Sequence, residues 1–306
     1  MPNELWMIYD KTGLDRNSTF VEMFAERGKP YNIDVKAVLD TEYLSLLMKK
    51  GIQPCAVLVR AICPSINAEF ENRKIPVWNS SFVSGICNHK GKTREYLKDT
   101  VFCTPTVPCN SDKVDEILGC SAEEVRQYLL ENMDFSSKFK EQEKARIRSA
   151  KDFVIKTADG HGGSEVYSFR NEAAKLKKVL RETDYVIQPM LPVGKESRDM
   201  RVYVLKDQIY AAILRHSDKD FRANFSRGGK VKAVSKDQIP QKEVEAILKK
   251  FSFGMAGIDF IFEEDGTPVL SEIEDVAGTR MLYRCCPELD IVADYMKEIQ
   301  KMLFDK

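Results

Sequence analysis

The first eighty residues alternate short apolar runs with polar stretches of helical period. Residues 18–28 repeat apolar positions at helical spacing and end at Gly28, a plausible C-cap. Strands that alternate with helices are typical of a parallel sheet, so the pattern predicts a small parallel-sheet α/β domain. Each apolar run is predicted as a strand, and the runs occupy residues 5–10, 32–40, 56–62 and 75–79.

The rest of the chain has a different pattern, in which helical segments are followed by paired strands. A capping box at Ser121 and Glu124 predicts a helix that begins there. Residues 141–150 are highly charged and are expected to be exposed. Two predicted hairpins span residues 200–217 and 257–274, with turns near 206–208 and at Asp265-Gly266. Further strands are predicted at 151–157 and 185–191, and further helices at 171–183, 241–251 and 290–304.

Composition argues against several classes of function, namely nucleic-acid binding, membrane insertion and metal binding by cysteines. Lysine plus arginine and aspartate plus glutamate each number 47 in 306 residues, so no global basic field exists for nucleic acid or an anionic membrane. No segment has the roughly 18 apolar residues of a membrane span, and no signal peptide is seen at the start. The eight cysteines lack metal-ligand spacing and are interpreted as reduced thiols of a cytoplasmic protein.

The segment from Gly85 to Thr93, GICNHKGKT, resembles a phosphate-binding P-loop. That pattern requires four residues between the first glycine and Gly-Lys-Ser/Thr, and five are present here. The extra residue disturbs the ring of N–H groups that must converge on phosphate, so we reject a P-loop. Lys90 and Lys92 need another explanation.

Three carboxylates fall on the second predicted hairpin. Glu272 and Glu274 are two residues apart on one strand and share a face, and Asp259 is placed to lie across the hairpin from them. Charges inside apolar strands need partners. A solvated acidic face and a site for hard cations such as Mg²⁺ both remain open, and the pattern favours the metal site. The acids of the turn are expected to be solvated, namely Glu263, Glu264 and Asp265.

Basic residues occupy complementary positions. Lys156 interrupts an apolar strand, and Arg201 and Arg215 lie on the first hairpin. Cations that face a carboxylate cluster can form a phosphate clamp with bridging magnesium, whereas ordinary ion pairing is the alternative. The segment 220–229 adds Arg222, Asn224 and Arg227 beside two glycines.

In order and in detail, these segments resemble the ATP-grasp superfamily, and in particular its RimK-like carboxylate–amine ligases. The resemblance extends from about residue 55 to residue 285. It implies a small N-terminal parallel-sheet domain at 1–88, a central ATP-grasp subdomain at 89–187 and a C-terminal one at 188–306, which clasp ATP between them. The matching segments are NHKGKTREYLKDTVFCTPTV, FVIKTADGHGG, VIQPML, SRDMRVYVLKDQIYAAILR, DFRANFSRGG and GIDFIF with LSEIE.

The resemblance also implies roles for individual residues. Lys90 and Lys156 would neutralise the nucleotide phosphates, and Gly162 and Gly163 would belong to a mobile lid over ATP. The hinge segment would hold adenine through the backbone of Pro189, Met190 and Leu191, with the side chain of Gln188 nearby. Asp199 would meet the ribose or the nucleotide edge. The residues implied to face the phosphates and take part in catalysis are Lys156, Arg215 and Arg222, with Ala223 and Asn224 beside them. Asp259, Glu272 and Glu274 would hold two Mg²⁺ ions, with Mn²⁺ as an alternative.

The chain departs from the family pattern at the end of the last motif. Glu274 stands where the family usually has Asn, and DVAG at 275–278 stands in place of SPG. This stretch borders the acceptor side in the family, so the substrate is expected to differ from that of the best-known members. Arg280 and Arg284 have two equally supported interpretations, as ligands of a substrate carboxylate or as surface residues.

The implied reaction is ATP-dependent amide formation through an acyl phosphate, with release of ADP and phosphate. The expected partners are an amino acid and a carboxylate-bearing acceptor, which is a peptide, a protein, a carrier or a small molecule; assembly into homo-oligomers is left open. Two alternatives are kept: an ATP-binding module without ligase activity, and a phosphotransferase on the same fold.

Overall fold

The N-terminal region forms the parallel sheet that the sequence predicts. The computed structural model describes residues 3–49, 53–160, 165–190, 197–217 and 230–304. The N-terminal sheet has the order β2-β1-β3-β4, and all of its strand pairs are parallel. Its strands are β1 (Asn3–Tyr9), β2 (Ile33–Leu39), β3 (Ala56–Val59) and β4 (Val77–Trp78), and the helices that connect them are α1 (Lys11–Gly28), α2 (Tyr43–Leu47) and α3 (Pro64–Asn72).

The central sheet is antiparallel in each of its printed pairs and has the order β5-β8-β6-β7. One face buries Phe153, Ile155 and Ile187 against the neighbouring helices. Because side chains alternate along a strand, Lys156 and Gln188 lie on the opposite face. The strands are β5 (Val107–Asn110), β6 (Phe153–Thr157), β7 (Val166–Ser168) and β8 (Asp184–Pro189), and the helices are α6 (Ser111–Ile117), α7 (Ala122–Asn132), α8 (Lys140–Ser149) and α9 (Phe169–Val179).

The C-terminal sheet contains both predicted hairpins and has the order β11-β10-β9-β12-β13. Lys206 and Gly266 take positive φ angles of 54° and 86° at the two predicted turns. The strands are β9 (Ser197–Leu205), β10 (Gln208–Ser217), β11 (Lys230–Ala233), β12 (Met255–Phe262) and β13 (Pro268–Glu274). The remaining helices are α4 (Ser81–Cys87), α5 (Lys90–Leu97), α10 (Gln241–Leu248), α11 (Arg280–Cys285) and α12 (Ile291–Phe304).

The two faces of the C-terminal sheet pack into different cores. One face packs against α4, α5 and α10, with Val202 and Phe260 among the buried residues. The other face packs against α11 and α12 and shares its core with Leu5 and Leu58 of the N-terminal sheet. The first and last parts of the chain are therefore joined through a common hydrophobic core.

The charged stretch near residue 141 differs from the sequence expectation. It forms α8, which buries Glu143 and Ile147 rather than remaining exposed. Its Arg146 pairs with Glu263, which is buried, so the expectation that all three acids of the second hairpin turn are solvated was wrong for Glu263. A buried carboxylate needs such a partner, and the partner is too distant in sequence for a local pattern to reveal it.

Other expectations from the sequence agree with the described structure. The capping box of Ser121 and Glu124 begins α7. The segment that resembles a P-loop forms α4 and α5, with Gly85 and Gly91 inside helices rather than in a phosphate loop. All eight cysteines are free thiols. Within the described residues, no helix has both the length and the apolar character needed to cross a membrane.

Asn79 joins the N-terminal sheet to the strands of the second hairpin. Its side-chain amide donates to the carbonyls of Met255 and Asp275, both at 3.0 Å, and its side-chain oxygen accepts from the N–H of Gly254 at 2.5 Å. Asn79 is buried, so these three backbone groups have no ready access to water as a substitute. One side chain thus binds the hairpin that carries the carboxylates at its open end, where β12 begins and β13 has just ended.

We predict that Asn79→Ala lowers the free energy of unfolding by about 2–4 kcal/mol, because buried backbone groups lose their partners. Chemical denaturation monitored by circular dichroism measures the change. The matched control is Asn72→Ala, at an exposed position on α3, which should change stability by less than about 0.5 kcal/mol. Equal stability of the two variants would contradict the role assigned to Asn79.

Candidate active site

Asp259, Glu272 and Glu274 come together at the end of the second hairpin, and we call them the carboxylate cluster. Each offers an oxygen, and these oxygens lie within 4.8 Å of one another. The antiparallel register places Asp259 opposite Glu272, and a bulge follows Asp259. The sequence reasoning that placed three acids on one sheet face agrees with this geometry. Three carboxylates this close repel one another unless cations neutralise them.

Two arginines of the first hairpin supply part of that neutralisation. Arg201 forms a bidentate pair with Asp259, with Nε and Nη2 each 2.7 Å from a carboxylate oxygen. Its third nitrogen, Nη1, lies 2.8 Å from Glu274. Arg215 donates to Asp259 at 2.7 Å and also pairs with Asp199. The two guanidinium groups therefore surround Asp259, which is 2% exposed.

Lys90, the first residue of α5, approaches the cluster from the other side. Its Nζ lies 3.4 Å from a carboxylate oxygen of Glu272 and donates to the carbonyl of Gly160 at 2.5 Å. The backbone N–H of Lys90 also donates to the carbonyl of Ala158 at 2.9 Å. The lysine thus links the helix, the end of the segment that follows Lys156, and the carboxylate cluster.

Lys156 faces the same region from the central sheet. Burial lowers the pKa of its amine to about 8, although Glu272 and Asp199 act in the opposite direction. The amine remains mostly protonated at neutral pH, because its pKa still lies above 7. Within the part of the chain that the structure describes, the Lys156 ammonium group has no hydrogen bond or ion pair, and such a group in a partly buried position favours an anion. Burial also raises the pKa of Asp199 to about 6, against the influence of Arg215.

Two members of the carboxylate cluster, Asp259 and Glu272, are held in the ionised form. Burial alone would raise the pKa of Asp259, but the Arg201 and Arg215 guanidinium groups outweigh it and hold that pKa below its usual range. Burial likewise opposes ionisation of Glu272, and Lys90 lowers its pKa. Both carboxylates are therefore charged at neutral pH and available as ligands of a cation.

The predicted hinge lies at the end of β8. Gln188 is buried, and its side-chain amide donates to the hydroxyl of Thr106 at 2.8 Å. The N–H of Met190 donates to the carbonyl of Asp152 at 2.9 Å, and Pro189 has no N–H. Of the two hinge residues that the structure describes, Pro189 and Met190, only the carbonyls are thus left to meet a ligand through the backbone.

The structure describes only part of the remaining residues singled out in the sequence. Arg280 and Arg284 are exposed. Six of the predicted residues lie outside the described part of the chain, as does most of the glycine segment proposed as a lid; the six are Gly162, Gly163, Leu191, Arg222, Ala223 and Asn224.

Three comparisons with known proteins bear on this site. Residues 128–299 match the family model of the RimK-like ATP-grasp domain, which is more than half of the chain. The chain belongs to the RimK-like ATP-grasp family. Proteins of the ATP-grasp fold generally use ATP and Mg²⁺, and the curated relatives of this chain include named ligases.

The individual similarities are partial in sequence and broad in structure. The chain is 34% identical over 140 residues to an uncharacterised protein of Mycoplasma pneumoniae, the MG011 homolog. The aligned segment covers 45% of this chain and 48% of that protein. It is 34% identical over 129 residues to the tetrahydromethanopterin:alpha-L-glutamate ligase of Methanocaldococcus jannaschii, and this alignment covers 38% of this chain and 43% of the ligase. The chain spans about half the length of the curated relatives that it matches.

The fold also matches solved structures of ATP-grasp ligases. A D-alanine–D-alanine ligase from Bacillus anthracis, complexed with ATP, aligns with a TM-score of 0.65 at 12% identity, covering 98% of this chain and 99% of that one. The mixed α/β architecture predicted from the sequence, with a parallel N-terminal sheet, is confirmed by this agreement.

The carboxylate cluster suits the hard cation that the ATP-grasp fold generally uses. All three donors are carboxylate oxygens, the ligand type that Mg²⁺ prefers, and their separation allows a shared ion. Asp259 and Glu272 are ionised, as ligands must be. The residues present therefore fit a divalent cation.

Sequence reasoning assigned no role to Gly257, although the contact between Arg201 and Glu274 depends on it. A Cβ atom at Gly257 would lie 3.1 Å from Arg201 Cδ, 3.2 Å from Arg201 Nε and 3.1 Å from Ala277 Cβ. Gly257 pairs with Glu274 across the hairpin, so the Arg201 side chain crosses over this glycine to reach Glu274. A glycine two residues before Asp259 was the available signal in the sequence.

We predict that Gly257→Ala lowers the free energy of unfolding by about 1–3 kcal/mol, because the added methyl group displaces the buried Arg201 side chain. Thermal and chemical denaturation measure the loss. Gly278→Ala is the matched control, since no atom lies within 4 Å of a Cβ built there. A Gly257→Ala variant as stable as Gly278→Ala would show that Arg201 does not need this space.

Proposed function

We propose that this protein is an ATP-dependent carboxylate–amine ligase that forms an amide bond through an acyl phosphate. The observation that supports it best is the convergence of the carboxylate cluster with four basic side chains from two different sheets and a helix. These are Lys90, Lys156, Arg201 and Arg215. Such a set suits a nucleotide triphosphate with its metal ions.

In this proposal each predicted residue keeps the role that the family resemblance implies. Lys90 and Lys156 neutralise the phosphates, and Arg215 stabilises charge that develops on the transferred phosphoryl group, together with Arg222. Gln188 and the hinge carbonyls orient adenine, and Asp199 lies at the nucleotide edge. The carboxylate cluster holds Mg²⁺, which when bound neutralises the phosphate oxygens. The division at residues 88 and 187 into an N-terminal domain and two ATP-grasp subdomains belongs to the same proposal.

The reaction then proceeds in two displacements. A carboxylate oxygen of one substrate attacks the γ-phosphorus, the bond from that phosphorus to the bridging oxygen breaks, and ADP leaves. The amine nitrogen of the second substrate attacks the acyl carbon, the carbon–oxygen bond to phosphate breaks, and phosphate leaves as the nitrogen loses a proton. The protein contributes by positioning the reactants and neutralising charge, so no nucleophilic side chain is required.

An amino acid is the proposed amine substrate, and L-glutamate is the first candidate because relatives are named alpha-L-glutamate ligases. The acceptor carboxylate belongs to a peptide, a protein, a carrier or a small molecule. The departures at Glu274 and at residues 275–278 lie beside the reacting groups in this proposal, and they support an acceptor different from those of the relatives. Cytoplasmic location and homo-oligomeric assembly stay predictions from the sequence.

A phosphate-release assay with MgATP over a grid of carboxylates and amines, with L-glutamate in each row, tests this function. We expect release only when both a carboxylate and an amine are present. Lys156→Ala and Asp259→Asn should each reduce the rate by at least about a hundredfold, because phosphate neutralisation and cation binding are lost. Lys151→Ala and Asp265→Asn, at exposed positions, are matched controls that should retain the rate.

The outcomes of this assay separate the alternatives. ADP release that needs no amine would indicate a phosphotransferase, and nucleotide binding without any release would indicate an ATP-binding module. Near wild-type rates in both Lys156→Ala and Asp259→Asn would refute the site itself.

A further inference from the structure

Arg201 has an arrangement that phosphate binding does not explain. All three of its guanidinium nitrogens point to carboxylates, two of them to Asp259 and one to Glu274. The residue is 6% exposed, so little of the guanidinium group is left for a ligand. Arg201 therefore binds two of the three members of the carboxylate cluster by itself.

Glu274 makes this contact informative. Where the family resemblance implies Asn, this chain has a glutamate, which adds one negative charge to the cluster. Its oxygen lies 2.8 Å from Arg201 Nη1, which places the added charge directly against the guanidinium group. The added charge and its partner thus form a pair.

The electrostatic consequence concerns the metal-free protein. Three carboxylates within 4.8 Å would repel strongly in a buried site, and removing the partner of a buried charge is strongly destabilising. Arg201 holds Asp259 and Glu274 in place with charge-assisted hydrogen bonds, which are the strong kind. The cluster can therefore form before any metal ion arrives.

We propose that Arg201 is the resident counter-ion of the carboxylate cluster, and that Glu274 and Arg201 act as one charge-compensating pair that sets the affinity for divalent cations. This inference rests on the cation site of the proposed function. Arg201 is a positioning residue: it acts through the carboxylates and not by contact with substrate.

The proposal makes an unusual prediction for metal binding. Removing the arginine charge should tighten cation binding. The affinity would not change if Arg201 were unrelated to the site, and it would fall if Arg201 only held the carboxylates in position. Removing the Glu274 charge should weaken binding, although glutamine keeps an oxygen at the position, as the family's Asn does. Removing both charges should restore the wild-type affinity, because one charge of each sign is lost from the same place.

The experiment is a Mn²⁺ titration of the metal-stripped full chain, followed by electron paramagnetic resonance of free Mn²⁺, without nucleotide. We expect Arg201→Met to bind Mn²⁺ about tenfold more tightly and Glu274→Gln about tenfold more weakly than wild type, with the double variant within about threefold of wild type. Arg201→Lys keeps the charge and should also stay within about threefold. The control Arg73→Met, at an exposed arginine immediately after α3, should not change the affinity.

A second measurement separates a counter-ion from a merely structural arginine. In EDTA, Arg201→Met should melt at a lower temperature than wild type. Adding Mn²⁺ should raise the melting temperature of Arg201→Met by more than it raises that of the wild type. Should Arg201→Met not fold, Arg201→Gln makes the same charge change in a smaller polar side chain.

Three results would overturn the proposal. They are unchanged or weaker Mn²⁺ binding by Arg201→Met, a double variant as weak as Glu274→Gln, and no Mn²⁺ binding by the wild type. Neither measurement contains nucleotide or substrate. The metal-binding results can therefore be interpreted even if the ligase assay fails, and the ligase assay can be interpreted even if this proposal fails.

Discussion

The bidentate ion pair between Arg201 and Asp259 is the interaction on which the rest of the site depends. It joins neighbouring strands of the C-terminal sheet, because Asp259 on β12 lies opposite Arg201 on β9. Buried charges must be neutralised, and this pair begins a network that continues to Glu274, Arg215 and Asp199. The same charges that would destabilise an apolar core in isolation here hold two hairpins together and gather charged side chains near their ends.

The surrounding fold brings the residues of this site together from distant parts of the chain. The central sheet brings Lys156 to its open face, and α5 brings Lys90 to within 3.4 Å of Glu272. Asn79 ties the strands of the second hairpin to the N-terminal sheet through three backbone hydrogen bonds. A site assembled in this way between two sheets suits a ligand that is bound from both sides. The nucleotide of ATP-grasp proteins is such a ligand.

Much of this arrangement could be predicted from the sequence, because local patterns determine it. The two hairpins followed from alternating strands and from Asp265-Gly266, and the shared face of Glu272 and Glu274 followed from the two-residue period of a strand. The order of the motifs led to the correct family. The proximity of Lys90 to Gly160 and Glu272 depended on the resemblance to that family, since no local pattern joins residues so distant in sequence.

What the sequence could not show is how charges are paired through space. The partnership of Glu263 with Arg146, and the reach of Arg201 across Gly257 to Glu274, depend on register and on helix packing. The backbone of Met190 was expected to meet adenine, but its N–H donates to the carbonyl of Asp152, a contact set by how the end of β8 meets the start of β6. These details decide which atoms remain available to a ligand.

The central claim is that this balanced set of charges binds a metal–nucleotide complex. The most direct test is calorimetric titration of the wild-type protein with a non-hydrolysable ATP analogue, in Mg²⁺ and again in EDTA. The account predicts binding at least about a hundredfold tighter in Mg²⁺, because the carboxylate cluster repels the bare triphosphate and attracts the complexed one. Equal affinity in the two buffers, or no binding in either, would contradict it.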